Sequence, residues 1–292
     1  MMTSISTISN QECNNQLFED VIMIEAKQDG SFLPDEIWLK IFSYIKGPEF
    51  RNCRLVNPRM YKVLSSDYAV KTIWRRLLNQ DANFIGKEKW AQYIGDIGEE
   101  PPLPKEFYYA FGSKCPFFPG ERVCQTQMLL LIPSAVDNKP FTLKSFGKLV
   151  MFPKLGNATG YSDLNGNVVT EHGDKFFEKA HWVFLTKRPI DVMGARKFVK
   201  QKAILEKLSD KAKVHYQIPH ALYVVTGSFM NYVTTKRRLF SLELQRYTRC
   251  LEIVKDNQVI VGGYDEDGLK VHYRDIPRGF CTVAAAGELR DN

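Results

Sequence analysis

The sequence predicts an α+β protein, in which a small all-helical module is followed by a mixed, mainly antiparallel sheet domain with two helices. Residues 33–78 carry repeated helix-start signals and aliphatic side chains at helical spacing. Residues 128–132 form a short apolar run that is typical of a buried strand, and Asn-Gly and Asp-Gly dipeptides further on indicate hairpins. We therefore expect four segments: a disordered tail (1–31), the helical module (32–80), a Gly/Pro/aromatic-rich connector (81–120) and the sheet domain (121–292).

The composition limits the class of protein. The chain has 292 residues, of which 44% are hydrophobic and 12% aromatic, so most of it can form a packed core and is not disordered. The net charge of +7 divides into −4 over residues 1–32, +5 over residues 33–78 and +6 over the remainder. No segment is an Arg/Lys tail, so nucleic-acid binding is permitted but not indicated. The apolar run at 128–132 is far shorter than the roughly 20 residues that cross a bilayer. We expect a protein that does not bind membranes.

The cysteines and the N-terminus indicate the compartment. The six cysteines form no C-x-x-C pair, and a chain of this size does not need disulfides for stability, so we expect reduced thiols in the cytosol. They are Cys13, Cys53, Cys115, Cys124, Cys250 and Cys281. The first sixteen residues lack both a basic and an apolar region, which excludes an ordinary secretory signal peptide.

The helical module begins at Pro34. Proline suits the first helical position, and Asp35 and Glu36 place negative charge in the first turn. Gly47-Pro48 ends this helix, and Pro48 and Pro58 repeat the start signal for two more. The first helix repeats an aliphatic residue at every fourth position: Leu33, Ile37, Ile41 and Ile45. The last helix has the amphipathic spacing i, i+3, i+4, i+7 and i+8: Val70, Ile73, Trp74, Leu77 and Leu78. A module of about fifty residues buries only about 60% of its surface, so part of its apolar surface is expected to bind a partner.

This module resembles the F-box family. Its opening Leu-Pro and acidic residue match Leu33, Pro34 and Glu36, and the end of its first helix matches Ile41, Phe42, Tyr44 and Ile45. Val56, Arg59-Met60-Tyr61 and the run from Trp74 to Leu77 match later parts of the family pattern. Two positions depart from it, because Asn57 replaces the usual cysteine and Met60 the usual tryptophan. Methionine fills irregular apolar gaps, so the second departure is tolerable.

The F-box resemblance implies a role rather than a reaction. An F-box binds the Skp adaptor of a cullin-type ubiquitin ligase, and the rest of the chain presents a protein target, here unknown. The F-box itself performs no chemistry, and no cofactor or metal is expected. The residues expected to bind the adaptor are Leu33, Pro34, Glu36, Ile37, Ile41, Ile45, Leu55 and Val56.

Two further resemblances point to a bacterial protein delivered into a eukaryotic host cell. The Ser/Thr/Asn/Gln-rich start resembles non-cleaved type III secretion signals. The region after the module resembles F-box proteins of intracellular bacteria at Trp90, Gly95–Pro104, Cys115–Gly120 and Val261–Tyr264. The chain is therefore also a candidate secreted effector.

The second domain is expected to pack on its own connector. Aromatic residues of the connector should lie against the sheet: Phe107, Tyr108, Phe111, Phe117 and Phe118. Strands are expected at Met128–Ile132, Phe141–Val150, His181–Thr186, Val259–Tyr264 and Leu269–Arg274. Type I′ hairpin turns are expected at Asn165-Gly166 and Asp267-Gly268, and helices at Ala195–Lys213 and from Pro219 onward. No repeat of 20 to 50 residues is present, which argues against propeller and leucine-rich target-binding domains.

Candidate chemistry in this domain is weak. Cys115 or Cys124 with His172 or His181 would supply the residue types of a cysteine nucleophile and its base, but no local signature supports the pairing. The same four residues lack the close ligand pairs of a zinc site. The basic run at residues 236–238 is explained by favourable charge at a helix C-terminus. The alternative function is therefore an enzyme-bearing or nucleic-acid-binding host-directed protein that uses the F-box only for localisation.

Overall fold

The computed structural model describes residues 78, 81–104, 107, 110–190, 197–210, 212, 214–240, 247–273 and 281–289. The chain divides into two units, Met1–Trp74 and Arg75–Asn292, and all described residues belong to the second. Within the described ranges, six helices and three sheets form a mixed α/β unit. No helix of this part has the length and apolar character needed to cross a membrane.

The first sheet has the strand order β1-β2-β6-β12-β7. Its centre is the apolar strand β2, which pairs antiparallel with β6 from Gln127↔Thr186 to Ile132↔His181. β1 is parallel to β2, and the other pairings in this sheet are antiparallel. The strands are β1 (Phe84–Ile85), β2 (Gln127–Ile132), β6 (His181–Thr186), β7 (Tyr216–Gln217) and β12 (Ala286–Leu289). The strand predictions at 128–132 and 181–186 are confirmed.

The second sheet has the order β11-β8-β9-β10-β5. Its three central strands are antiparallel, and an edge strand joins each side in parallel. The strands are β5 (Tyr161–Leu164), β8 (Tyr247–Val254), β9 (Asn257–Gly262), β10 (Leu269–His272) and β11 (Cys281–Thr282). A separate small hairpin consists of β3 (Ala135–Val136) and β4 (Lys139–Pro140). Six of the nine pairings between these strands are antiparallel.

The six helices of the described residues exceed the two that the sequence predicts for the sheet domain. They are α1 (Lys87–Tyr93), α2 (Val123–Thr126), α3 (Leu143–Met151), α4 (Gly166–His172), α5 (Phe198–Ser209) and α6 (Ala221–Thr235). The two predicted helices correspond to α5 and α6 and are confirmed over those bounds. The other four are short, and a helix of four to nine residues gives little periodic signal in a sequence.

Helix α6 is the centre of the unit. It contacts β2 and β6 of the first sheet and β8 and β9 of the second. Its sequence contains no charged residue, and twelve of its fifteen residues are buried, as expected for a helix covered on all sides. Gly227 lies against the first sheet, where an added Cβ would be 2.6 Å from Leu185 Cδ2. Close contact between this helix and the sheet therefore depends on a glycine here.

The connector packs on the first sheet through its described aromatic residues. Phe107 is fully buried and stacks on Phe184 of β6 with ring centroids 5.9 Å apart. The rings of Phe117 and Tyr216 pack edge to face, with centroids 4.8 Å apart. Tyr108 lies outside the described residues.

The strand predicted at Phe141–Val150 is wrong, because this segment forms helix α3. Thr142 caps the helix: its Oγ1 accepts a hydrogen bond from the Ser145 N–H at 3.1 Å, and Ser145 Oγ accepts one from the Thr142 N–H at 2.9 Å. The buried positions of the helix are Leu143, Phe146, Gly147 and Val150, which is the spacing of one helix face. The capping interaction and this spacing outweigh the apolar, strand-like composition.

The type I′ turn predicted at Asn165-Gly166 is also wrong. Asn165 is the N-cap of α4, and its Oδ1 accepts a hydrogen bond from the Asn167 N–H at 3.0 Å. Asparagine favours helix N-caps as well as tight turns, so the dipeptide alone does not distinguish the two.

The hairpin predicted around Asp267-Gly268 is confirmed, but its turn type is wrong. β9 and β10 pair antiparallel through Val261↔Val271. The connection runs from Gly263 to Gly268 and is too long for a two-residue turn. Asp265 organises it, because Oδ1 accepts hydrogen bonds from the N–H groups of Asp267 and Gly268 at 3.1 and 3.2 Å.

Candidate functional site: a histidine-lined groove

The residues expected to bind the adaptor lie outside the described part of the chain. They are Leu33, Pro34, Glu36, Ile37, Ile41, Ile45, Leu55 and Val56.

The candidate cysteine–histidine pairs are not brought together. Cys124 lies in α2, next to the start of β2, where Gln127 pairs with Thr186. His181 pairs with Ile132 at the opposite end of the same strand, five residues or roughly 17 Å away. Cys115 lies near the Cys124 end, because its Sγ is 3.9 Å from Gln127 Nε2. Both thiols are buried, and neither has His181 beside it as a base.

His172 is occupied by other contacts. Its Nε2 is 2.9 Å from the carbonyl oxygen of Ile253, so Nε2 must carry the proton and donate it. Nδ1 is then the acceptor for Lys175 Nζ, 3.1 Å away. Among the described residues, no group of three His, Cys, Asp or Glu side chains is placed to hold a metal ion.

A groove of about 270 Å³ lies at the start of α6. Strand β8, the segment after α4 and the first residue of α3 form its other walls. The apolar lining residues are Leu143, Phe176, Phe177, Leu222 and Leu251, and the polar ones are His172, Lys175, His220 and Glu252. An apolar lining with a few convergent polar groups is the usual composition of a small ligand pocket, and this volume is just below the usual range of about 300–1,000 Å³.

Glu252 of β8 fixes the polar side of the groove. His220 is the N-cap residue of α6, but its side chain makes no capping hydrogen bond. Glu252 provides a capping hydrogen bond instead: its Oε2 accepts the Ala221 N–H at 2.8 Å, and its Oε1 is 2.9 Å from His220 Nδ1. A carboxylate at a helix N-terminus also interacts favourably with the helix dipole. The Leu251 N–H donates to the Pro219 carbonyl at 3.0 Å, which holds β8 against the start of the helix.

The contact with Glu252 sets the tautomer of His220. Because the carboxylate can only accept, Nδ1 carries the proton, and in the neutral ring Nε2 is an acceptor. Nε2 makes no hydrogen bond to a described residue. The imidazole lies edge-on to Phe177 and Tyr223, at centroid distances of 5.3 and 5.1 Å. The ring is therefore held in position while one nitrogen remains available to a ligand.

Tyr223 links this groove to a second histidine. Phe177 stacks on Tyr223 at 5.1 Å, and the Tyr223 hydroxyl is 2.8 Å from His181 Nε2. His181 Nδ1 is 3.0 Å from the Lys179 carbonyl, so Nδ1 donates there and Nε2 accepts from the tyrosine. These contacts give His181 a structural role beside the groove.

The polar groups of the groove can bind a ligand and exchange protons with it, but few of them suit covalent chemistry. A carboxylate-held imidazole is the arrangement of a general base. No Ser, Thr or Cys is among the described residues that line the groove. The arrangement therefore fits a binding site with an apolar floor better than a nucleophilic active site.

The sequence did not identify this groove. The Pro219-His220 pair indicates only a helix start, and Glu252 is 32 residues away on a strand. Only the position of β8 beside the start of α6 brings the two together. The basic run, by contrast, lies where it was expected: Lys236 is the C-cap of α6, and Arg238 lies over the Tyr232 ring at 5.5 Å.

Comparison with known proteins identifies the N-terminal module. Residues 31–80 match the family model described as F-box-like. No curated protein and no solved structure matches the chain. The resemblance of this segment to the F-box is therefore confirmed, and the chain carries an F-box-like domain at residues 31–80.

Proposed function

We propose that this protein is a substrate receptor of a cullin-type ubiquitin ligase. Residues 31–80 bind the Skp adaptor, and the α+β unit presents a protein target for ubiquitination. The observation that carries the proposal is the F-box-like match at residues 31–80. The division of the chain at Trp74 and Arg75 supports it, because a receptor needs a second unit to hold its target. In this proposal the chain itself performs no catalytic step.

The adaptor contact depends on the apolar residues of the module. Helix-in-groove interfaces usually rely on a few buried anchors, each of which costs about 2 kcal/mol or more on truncation. We propose these anchors at the opening Leu33-Pro34 pair, at Ile37, Ile41 and Ile45 of the first predicted helix, and at Leu55 and Val56.

A pull-down with purified Skp adaptor tests the proposal. The wild-type chain should retain the adaptor, and the double variant Leu33→Ala with Pro34→Ala should not. Val199→Ala is a matched control, because Val199 is an apolar residue of the second unit with 77% of its surface exposed. Equal retention of the wild type and the double variant, or no retention of either, would remove the basis for the receptor assignment.

An enzyme-bearing second unit is the competing function, and the His220–Glu252 pair is the observation that favours it. Reconstituted ubiquitination of associated proteins separates the two. Deletion of residues 33–78 should abolish ubiquitination under the receptor proposal, whereas Cys115→Ala and Cys124→Ala should leave it unchanged. A modification of bound protein that survives the deletion and is lost in His220→Ala would favour the enzyme.

We also propose that the receptor acts in the cytosol of a eukaryotic host after bacterial delivery. The polar composition of residues 1–32 supports this. Fusion of these residues to a translocation reporter in a bacterium with a type III apparatus should give delivery that stops when the apparatus is inactivated. Absence of delivery would instead favour an F-box protein made in the cell where it acts.

A further inference from the structure

An exposed apolar loop begins at Met151, the last residue of α3 in the second unit. We define it as residues 151–155, Met-Phe-Pro-Lys-Leu. Phe152 is 83% exposed, and Met151 and Leu155 are 51% and 50% exposed. Single exposed apolar residues are common on protein surfaces, but three within five residues form a patch, and such patches mark interaction sites.

Backbone hydrogen bonds hold this loop on both sides. The Phe152 N–H donates to the Leu149 carbonyl at 3.2 Å, and the Lys154 N–H donates to the Tyr93 carbonyl of α1 at 2.8 Å. Beyond the loop, the Asn157 N–H donates to the Val233 carbonyl of α6 at 3.0 Å. The Thr159 N–H returns to the Val150 carbonyl at 2.9 Å, which closes the segment. The exposed ring of Phe152 is therefore carried on an ordered backbone, which lowers the entropy lost when a partner binds.

Exposed basic residues lie in the chain segments that adjoin the loop. Lys148 lies four residues before Phe152, Lys154 lies within the loop, and both are exposed. Lys236 and Arg237 are also exposed and follow the last turn of α6. The Asn157 N–H, just after the loop, is hydrogen-bonded to the Val233 carbonyl in that turn. Among the described residues, these four side chains form no ion pair.

The two chain segments that carry the loop and the end of α6 contain no acidic residue. Residues 138–162 contain four lysines and neither Asp nor Glu, and residues 218–240 contain three basic residues and again no acid. The acid after α1, Asp96, accepts the Gly98 N–H at 3.1 Å with its Oδ1. Of the four lysines in residues 138–162, Lys144 pairs with Asp174 at 2.6 Å. Asp265, Glu266 and Asp267 of the β9–β10 connection lie beyond the far end of this segment, where the Leu269 N–H donates to the Gly160 carbonyl at 3.0 Å. The patch thus combines an apolar centre with basic side chains that form no ion pair among the described residues.

We infer that this loop is the docking surface for the ubiquitination target, and that it takes an acidic segment of that protein bearing a large apolar side chain. The apolar side chain packs on Phe152 between Met151 and Leu155, while Asp or Glu residues on either side face the basic rim. A central aromatic anchor with a charged rim is the usual anatomy of a protein interface. The inference rests on the proposed function, which supplies a protein target for the second unit.

An anionic membrane is another surface with matching charge. Membrane attachment strengthens with the apolar area that is buried as well as with charge. Here only one side chain is almost fully exposed, and its two apolar neighbours are half buried, so the apolar area is small. This small area favours a protein partner.

Selection from a random 12-residue peptide display library with the purified full chain tests the inference. Enriched peptides should carry Asp or Glu next to a large apolar residue. Phe152→Ala and Lys154→Glu should each weaken binding of these peptides at least about tenfold. Raising the salt concentration should weaken binding by the wild type, because exposed charges are screened. Val199→Ala and Lys200→Glu, which change an exposed apolar residue and an exposed lysine on α5, should bind like the wild type.

Three results would overturn the inference: no enrichment, enrichment without acidic residues, or peptides that bind Phe152→Ala as well as the wild type. Vesicles of phosphatidylcholine with phosphatidylserine provide the membrane arm. The surface would be a membrane-binding site instead if the wild type sediments with these vesicles, Phe152→Ala does not, and no selected peptide depends on Phe152 for binding. The adaptor pull-down on Phe152→Ala separates this inference from the receptor assignment. We expect Phe152→Ala to retain adaptor binding and to lose peptide binding. If the wild type binds the peptides but not the adaptor, the receptor assignment is wrong, and the peptides do not represent a ubiquitination target.

Discussion

The contact between Glu252 and the start of α6 gives a prediction of definite size. Glu252→Ala removes two hydrogen bonds to a carboxylate, one from the Ala221 N–H at 2.8 Å and one from His220 Nδ1 at 2.9 Å. The Glu252 side chain is only 15% exposed and Ala221 is buried, so water cannot easily replace the lost acceptor. Hydrogen bonds to charged groups contribute about 1.5–3 kcal/mol each, and His220 can recover part of its loss by moving. We expect the free energy of unfolding to fall by about 2–4 kcal/mol.

Thermal unfolding of the full chain, followed by circular dichroism, measures this loss. For a unit of this size, each kcal/mol lowers the melting temperature by about 2–4 °C, so we expect a decrease of about 5–15 °C. Hydrogen exchange of a peptide covering residues 218–230 should accelerate as well, because the first turn of α6 loses its cap.

Two variants make this experiment specific. Glu252→Gln keeps an oxygen that can accept the Ala221 N–H, so it should lose less than half as much stability. Glu206→Ala removes an exposed glutamate of α5 whose pair with Lys202 has an N–O distance of 4.0 Å, and it should cost less than about 0.5 kcal/mol. A melting temperature of Glu252→Ala no lower than that of Glu206→Ala would refute the reasoning.

Two further predictions concern the β9–β10 connection. Burial raises the pKa of Asp265. The hydrogen bond and charge of Lys270, whose Nζ is 2.6 Å from Oδ2, and the N–H groups of Gly268 and Asp267 lower this pKa by more than burial raises it, so it lies below its ordinary value. The stability from this carboxylate is therefore complete above about pH 4 and is lost as the pH falls through the lower folded-state pKa. The urea concentration at the unfolding midpoint should fall less steeply between about pH 5 and pH 3 in Asp265→Asn than in the wild type. Parallel curves would contradict this. Gly263 has φ +58°, and an added Cβ would lie 2.1 Å from Tyr247 Oη, so Gly263→Ala should cost about 1–3 kcal/mol in urea unfolding. At Gly166, at the start of α4, an added Cβ would have no atom within 4 Å, so Gly166→Ala should be neutral or stabilising by up to about 1 kcal/mol. Equal effects of the two alanine substitutions on stability would contradict the strain and close contact described at Gly263.

The strands and long helices could be predicted where one signal dominates. The apolar run at 128–132 has a single good solution, which is a fully buried strand. The uncharged segment after Pro219 has helical spacing and forms α6. In both places local preference and burial favour the same structure, which is the condition for a reliable prediction.

Tight turns were harder to predict, because their residues are not the expected dipeptides. The two-residue hairpin turns of the described residues occur at Asp137-Asn138, with φ of 48° and 61°, and at Lys255-Asp256, with φ of 47° and 64°. Positive φ at both central residues is the feature of a type I′ turn. Asp and Asn tolerate this region without glycine, but Lys255 gives no such signal.

The groove could not be predicted for a different reason. His220 and Glu252 meet only because β8 lies beside the start of α6, and that placement depends on the order of strands in the second sheet. Sequence reasoning instead considered Cys124 with His181, which the register of β2 and β6 separates. The F-box-like segment is the opposite case, because its pattern of residues along the chain is itself the signal.

The affinity of the full chain for purified Skp adaptor tests the central claim most directly. Isothermal titration of the wild type should show one-to-one binding. Leu33→Ala with Pro34→Ala should weaken it at least about thirtyfold, as expected for the loss of about 2 kcal/mol or more from buried anchors. Val199→Ala should leave the affinity unchanged. Absence of binding by the folded wild-type chain, or equal affinity of the wild type and the double variant, would contradict the account.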